Sequence, residues 1–405
     1  MTTDSQYQDF VPPHRLLMGP GPSMVHPRVL QALSQPLLGH LDPVFLTLMN
    51  DIQALLRATF HTQNEFTIAL SGTGSAGMEA VIANLIEPGG RAIVGVNGVF
   101  GTRLATMIER SGGLPIRIEA PWGATIPIEA LEQELARSAP VKALVLVHAE
   151  TSTGALQPLE DVGALCRAHD ALLIVDAVTS LGGIPVEVDT WGIDACYSGT
   201  QKCLSCPPGL APLTVSPRGM GAIRQRRAPC HSWYLDLSLI ADYWNDHSRA
   251  YHHTAPISML YGLREALRLV HEEGLPARAA RHQVNSDALM AGLRALGLSP
   301  LPPPGHRLPM LNCVTLPDGI DEAMMRTQLL QQYGIEIGGG LGPLRGRVWR
   351  IGLMGESCRQ AHVLTLLNAL EEIFAGQGRL TQPGRAVQAA TETYTHSLGS
   401  ARRGA

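Results

Sequence analysis

Phe66-Thr67-Ile68-Ala69-Leu70 runs into Ser71-Gly72-Thr73-Gly74-Ser75-Ala76-Gly77, and an apolar stretch, Met78 to Leu85, follows. A short apolar run, a glycine-opened polar loop and a helical pattern in that order read as strand, loop and helix. The same alternation continues. Strands are expected at Ala92–Val96, Ile116–Glu119, Ala143–Val147, Leu172–Val175, Cys196–Ser198 and Ala211–Val215, with helices at Thr102–Ser111, Ile128–Arg137 and Leu159–His169 between them. Continuous apolar strands separated by helices predict an α/β protein with a mostly parallel sheet buried on both faces. Ligands of such sheets lie beyond the carboxyl ends of the strands. That edge gathers the Ser71–Gly77 loop, Asp176 at the end of Leu172–Val175, and Lys202 just after Cys196–Ser198.

Upstream, Pro43 to Phe60 carries Phe45, Leu48, Met49, Ile52, Leu55 and Leu56 at helical spacing. Gly19-Pro20-Gly21-Pro22 can be neither helix nor central strand, so it is a connector or a rigid loop lining a pocket. Downstream, periodic helices at Met259–Glu272 and Leu275–Leu296 lead to a proline-rich link, 300–305. A second unit follows, with strands at Asn312–Leu316 and Val348–Leu353 and helices at Glu322–Tyr333 and Gln360–Phe374. The expected division is an N-terminal arm (1–13), a large domain (14–273), a smaller C-terminal α+β domain (274–380) and a disordered tail (381–405). The tail reading rests on its polar composition and scarcity of large apolar residues.

Composition narrows the function. The chain has 405 residues, 45% of them hydrophobic and 16% charged, enough for a sizeable core. A formal net charge of −4 gives no electrostatic reason to expect nucleic acid or an anionic membrane. No uninterrupted apolar stretch reaches the length of a membrane span, and the first ten residues have no signal pattern. Seven thinly spread cysteines fit a reducing compartment, so the expected address is cytoplasmic. Cys203-x-x-Cys206 lacks the second pair or the histidines that a zinc site needs, and no metal is expected.

Lysine is scarce: of 31 basic residues, all but Lys142 and Lys202 are arginine. Arginine cannot become a neutral amine at working pH, so Schiff-base chemistry would fall on one of those two. Lys142 opens an apolar run, where a lysine caps a strand edge. Lys202 follows a strand and a glycine and can aim at a ligand. Asp176, at the end of a buried strand, needs a cation or a ligand to offset its burial, unless it caps the next segment. Thr73, Gly74 and Ser75 would offer hydroxyls and helix N–H groups to a phosphate, although a tight structural turn is an equal reading. A phosphate cradle, an aspartate able to hold a ring nitrogen's proton and a lysine together suggest pyridoxal 5'-phosphate.

Six motifs occur in order: Gly19-Pro20-Gly21-Pro22, Ser71-Gly72-Thr73-Gly74, Val175-Asp176-Ala177-Val178-Thr179-Ser180, Ser198-Gly199-Thr200-Gln201-Lys202, Tyr251-His252-His253-Thr254 and Arg350-Ile351-Gly352-Leu353-Met354-Gly355. Together they resemble the alanine–glyoxylate and serine–pyruvate/serine–glyoxylate aminotransferases, class V of the pyridoxal-phosphate enzymes of fold type I. The resemblance runs from about Leu16 to Phe374. It implies a seven-stranded large domain and transamination between a small amino acid, alanine or serine, and a small 2-oxo acid, glyoxylate or pyruvate. It also implies that Lys202 carries the cofactor, Asp176 pairs its ring nitrogen, and Thr73, Gly74, Ser75 and Gln201 hold its phosphate. Thr151 would meet the ring hydroxyl and Val178 the ring face. Phe100 stands where members of the family often place a tryptophan over the ring; it can still stack but has no indole N–H. Arg350 would grip the substrate carboxylate beside Gly21. Tyr251 and Thr254 would reach the phosphate of a second subunit, which implies a homodimer with shared sites. The loop Gly338-Gly339-Gly340-Leu341-Gly342 should limit the substrate side chain. A cysteine desulfurase or other β-lyase would instead need a mobile late cysteine, for which Cys313 and Cys358 are available, and a non-enzymatic binding subunit would lack the lysine and aspartate pair.

Overall fold

The structure is a computed structural model that describes residues 9–245, 249–379 and 382–401. Residues 1–8 of the expected N-terminal arm lie outside the described residues. A seven-stranded sheet forms the centre, in the order Phe66–Ser71, Leu210–Val215, Ala195–Tyr197, Leu172–Asp176, Ala143–Val147, Arg91–Val96, Leu114–Glu119. Leu210–Val215 runs antiparallel to both its neighbours, and the other pairings are parallel. Leu172–Asp176 and Ala143–Val147 are buried along their whole length, as the unbroken apolar runs demand when helices cover both faces.

The helix Pro43–Phe60 shows how the chain encodes its flank. Asp42 accepts the N–H of Val44 at 2.8 Å and Pro43 fills the first turn, where no N–H is needed. Phe45, Met49, Ile52, Leu56 and Phe60 form the buried stripe, and His61 ends the helix at φ 49°. The helix after the first strand begins at Gly74, four residues before the expected Met78. Gly72, at φ +119°, completes the turn at once, so the small residues behind it already belong to the helix.

Two main hydrophobic cores lie among the described residues. One draws on residues between Val29 and Val270; the other joins Met18 to residues between Ala288 and Tyr394. The second contains an antiparallel sheet in the order Ser299–Pro300, Leu311–Thr315, Val348–Gly352, Gly338–Gly339. Two expectations about this region need correction. Leu16–Leu17 pairs with Ile335–Glu336 and Met18 is buried in the second core, so this part of the chain does not belong to the first unit. The expected disordered tail contains the helix Arg385–Ala401. Tyr394 is buried there, its hydroxyl donating to Asn285 at 2.8 Å, and the carboxylate of Glu371 accepts the N–H groups of Gly384 and Ala386.

Candidate active site

Lys202 lies on the turn after Ala195–Tyr197, 9% exposed, its Nζ bonded to the carbonyl of Pro20. The two loops are fastened to each other. Ser23 donates its N–H to Gln201 O at 2.9 Å and its hydroxyl to Lys202 O at 2.8 Å. Gly21 sits at φ +107°, and a Cβ there would come within 2.9 Å of the lysine Nζ, so only glycine leaves the amine its place. Burial draws the Lys202 pKa down to about 8, with the charges of Arg350 and Arg103 acting in the same direction against those of Cys203 and Asp176. Lys142 stands at the opposite edge of the sheet, at the start of Ala143–Val147, where it cannot share a site with Asp176.

Asp176 closes Leu172–Asp176 with its carboxylate 2% exposed. One oxygen accepts the Val178 N–H at 2.9 Å and the other accepts the Tyr197 hydroxyl at 2.8 Å. Burial nevertheless pushes its pKa up to about 6, more than those two bonds and the charge of Lys202 offset. A carboxylate so placed favours a cation, such as a protonated ring nitrogen.

The proposed cradle forms at the start of the helix Gly74–Leu85. Thr73 occupies the N-cap but its side chain caps nothing, and the N–H groups of Gly74 and Ser75 have no acceptor among the described residues. The Gly199 turn closes over it: a Cβ on Gly199 would lie 3.5 Å from the Gly74 Cα. Gln201 Oε1 is buried with no hydrogen-bond partner in the described structure. Free helix N–H groups, glycine backbone and uncommitted polar side chains suit a phosphate ester. Val178 borders this cradle, its methyl 3.0 Å from a Cβ built on Gly74.

On the next loops, Thr151 bonds Thr179 hydroxyl to hydroxyl at 2.5 Å, and its carbonyl accepts Nη1 of Arg350 at 3.3 Å. Arg350 Nε donates to Gly339 O at 2.7 Å, so two carbonyls fix the guanidinium on Val348–Gly352 while Nη2 stays uncommitted among the described residues. Arg345 and Arg347 are exposed. A Cβ on Gly338 would meet the ring of Pro20 at 2.6 Å, so the glycine loop closes directly onto the Lys202 side of the site. Phe100 opens the helix Val99–Arg110 and is half-buried.

Tyr251 and Thr254 are not brought to this cradle. Both are exposed, bonded to each other at 3.2 Å, with Tyr251 beside the His40 ring. Three groups had no role assigned from the sequence. Tyr197 holds Asp176. Glu150, fully buried, accepts the N–H groups of Phe100 at 3.2 Å, Gly101 at 3.3 Å and Ser152 at 3.1 Å. Burial pushes the Glu150 pKa up. Arg103 lies over the Phe100 ring, its guanidinium carbon 4.8 Å from the centroid. The helix starts at Val99, three residues before the expected Thr102, and this puts Phe100 and Arg103 one turn apart.

The family profile described as Aminotransferase class-V matches residues 16–348. The (S)-ureidoglycine–glyoxylate transaminase of Bacillus subtilis is 42% identical, over 95% of this chain and 96% of that protein. The alanine–glyoxylate aminotransferase of Callithrix jacchus is 40% identical, over 89% and 87%. A solved alanine–glyoxylate aminotransferase from Nostoc sp. is 49% identical and superimposes with a TM-score of 0.90, covering 92% of this chain and 98% of that one.

Proposed function

The chain belongs to the class-V aminotransferases and depends on pyridoxal phosphate, and from that premise we propose that it moves an amino group from alanine or serine to glyoxylate in a homodimer with shared sites. One observation carries the reading: the buried Lys202 and Asp176 share a site with a phosphate cradle, linked to it through Val178, and with the Arg350 fork, whose charge reaches Lys202. When bound, pyridoxal phosphate supplies the electron sink for charge developing at the substrate α-carbon. Lys202, its pKa lowered by burial, would take the proton from the substrate α-carbon and deliver it to the cofactor's aldehyde carbon. Asp176 would hold the ring nitrogen's proton, with Tyr197 and Val178 keeping the carboxylate aligned. Arg350 would grip the α-carboxylate through its uncommitted Nη2. Arg326, the second cation packed against Gly339, is held by Glu322, which leaves none free on the Gly338–Gly342 loop for a distal carboxylate among the described residues, and the loop's backbone would favour a small side chain. Neither Cys313 nor Cys358 supports a desulfurase: both are buried, and burial pushes both thiols up to about 12.

The dimer is inferred from Tyr251 and Thr254, which turn away from their own cradle, and from exposed apolar neighbours such as Trp233, at 62%. A second reading of the amino donor, (S)-ureidoglycine, is favoured by length: the relative named for it aligns with 95% of this chain, the alanine one with 89%. The experiment is purification, borohydride reduction with peptide mapping, and a donor panel against glyoxylate. Label on Lys202, the mass of two chains, and turnover with alanine or serine are expected. Label on Lys142 or preference for glutamate overturns the reading, and exclusive use of ureidoglycine replaces the donor.

A further inference from the structure

We propose that Arg103 is the cation of the phosphate cradle, a binding residue for the cofactor's phosphate. The inference rests on the cradle assignment above. Thr73, Gly74, Ser75 and Gln201 are all neutral, and a helix N-terminus contributes only about half a positive charge. A phosphate monoester is close to a dianion at neutral pH. With Lys202 committed to the aldehyde end of the cofactor and Lys142 at the far edge of the sheet, the cradle needs an arginine.

Arg103 is the one already in place. It lies one turn beyond Phe100 on the helix Val99–Arg110, which lays the guanidinium over that ring at 4.8 Å from the centroid. Its Nη1 donates to the hydroxyl of Ser75 at 3.4 Å, a long bond to a neutral acceptor that belongs to the cradle itself. It is half-buried and has no ion-pair partner among the described residues, whereas Arg28, Arg218, Arg264, Arg278 and Arg281 each have a carboxylate. Its charge also reaches inward, adding to the lowering of the Lys202 pKa that burial dominates and opposing the rise that burial gives Tyr197. A phosphate oxygen beside Ser75 offers this guanidinium a charged acceptor in place of a hydroxyl, the stronger kind of hydrogen bond. Its link to Ser75 sets it on the phosphate side of the site, while Arg350 occupies the carboxylate side.

The test separates phosphate from ring. The apoenzyme, freed of cofactor by incubation with amino donor and dialysis, is titrated with pyridoxal phosphate, with pyridoxal, and with inorganic phosphate as competitor, following tryptophan fluorescence. Arg103→Gln should weaken pyridoxal phosphate binding roughly 10- to 100-fold, the range of one charged hydrogen bond. Pyridoxal binding should stay within about twofold. Inorganic phosphate should lose its competing power in the same variant, and Arg103→Lys should recover part of it. Equal weakening of both cofactor forms, or an unchanged preference for the phosphorylated one, overturns the inference alone. An unmodified apoenzyme that binds neither overturns it together with the cradle assignment beneath it.

Discussion

Asp176→Asn, studied in the cofactor-free protein, separates the cost of a buried charge from the use made of it. The carboxyl group has an ordinary pKa of 3.8 and is raised to about 6 in the fold, chiefly by burial. With the folded value above the unfolded one, the stability from this group is fully present below pH 3.8 and is lost as pH rises to about 6. At roughly 1.4 kcal/mol for each unit between the two values, the loss comes to about 3 kcal/mol and is constant at higher pH. Asparagine has no such loss. It can still accept the Val178 N–H, but its amide NH₂ must then face Tyr197, whose hydroxyl has to turn from donor to acceptor. That exchange costs about 1 kcal/mol. The cofactor-free variant should therefore be more stable than the parent by about 2 kcal/mol at pH 7, and less stable by about 0.5 kcal/mol at pH 4, where the parent has already lost about 0.5 kcal/mol. Urea midpoints measured from pH 4 to 8 read the crossing directly. Once cofactor is bound the order of merit reverses, because the carboxylate gains a cation and the amide does not, and transamination by the variant should fall severely. Parallel pH curves for the two cofactor-free proteins would refute the reasoning, since Asp176 could not then be carrying an unpaired buried charge.

Arg350→Lys should raise KM for the amino donor by roughly 10- to 100-fold, the worth of one charged hydrogen bond, while kcat changes little. A lysine cannot keep both carbonyl contacts, to Gly339 and Thr151, and still reach a carboxylate; an unaltered KM would place the carboxylate grip elsewhere. Tyr394→Ala should lower stability by about 3 kcal/mol in urea, the usual cost of emptying a buried aromatic site. An unshifted midpoint would mean that the helix Arg385–Ala401 is not docked.

The seven-stranded sheet was legible because parallel strands covered on both faces are written as unbroken apolar runs, of which Leu172-Leu173-Ile174-Val175 is the clearest. Asp176 and Lys202 were legible for the opposite reason, each being a charge where the pattern calls for none. The C-terminal helix was missed because its buried stripe is Ala386, Ala390 and Tyr394, two of them too small to register as apolar periodicity. Close approach takes the place of bulk there: a Cβ on Gly292, in the helix Leu275–Ala295, would lie 2.9 Å from the carbonyl oxygen of Ala386. Such contact depends on the partner helix and leaves no trace in the local sequence.

Glu150 was hidden for a related reason, and its position explains how the two residues proposed to meet the ring stay in register. The helix Val99–Arg110 has Gly98 at its N-cap and therefore no capping side chain of its own. The Glu150 carboxylate does that work from another strand end, accepting the N–H groups of Phe100 and Gly101. Gly98 has to be glycine for this, since a Cβ would fall 2.4 Å from the Glu150 carboxyl carbon. The same carboxylate also takes the N–H and the hydroxyl of Ser152, next to Thr151. One buried group thus sets the backbone of Phe100, assigned to the ring face, and of Thr151, assigned to the ring hydroxyl. Four donors justify a carboxyl group in so dry a place, where burial alone would drive it to its neutral form. A glycine and a glutamate more than fifty positions apart in the chain make a single cap, and neither residue announces it alone.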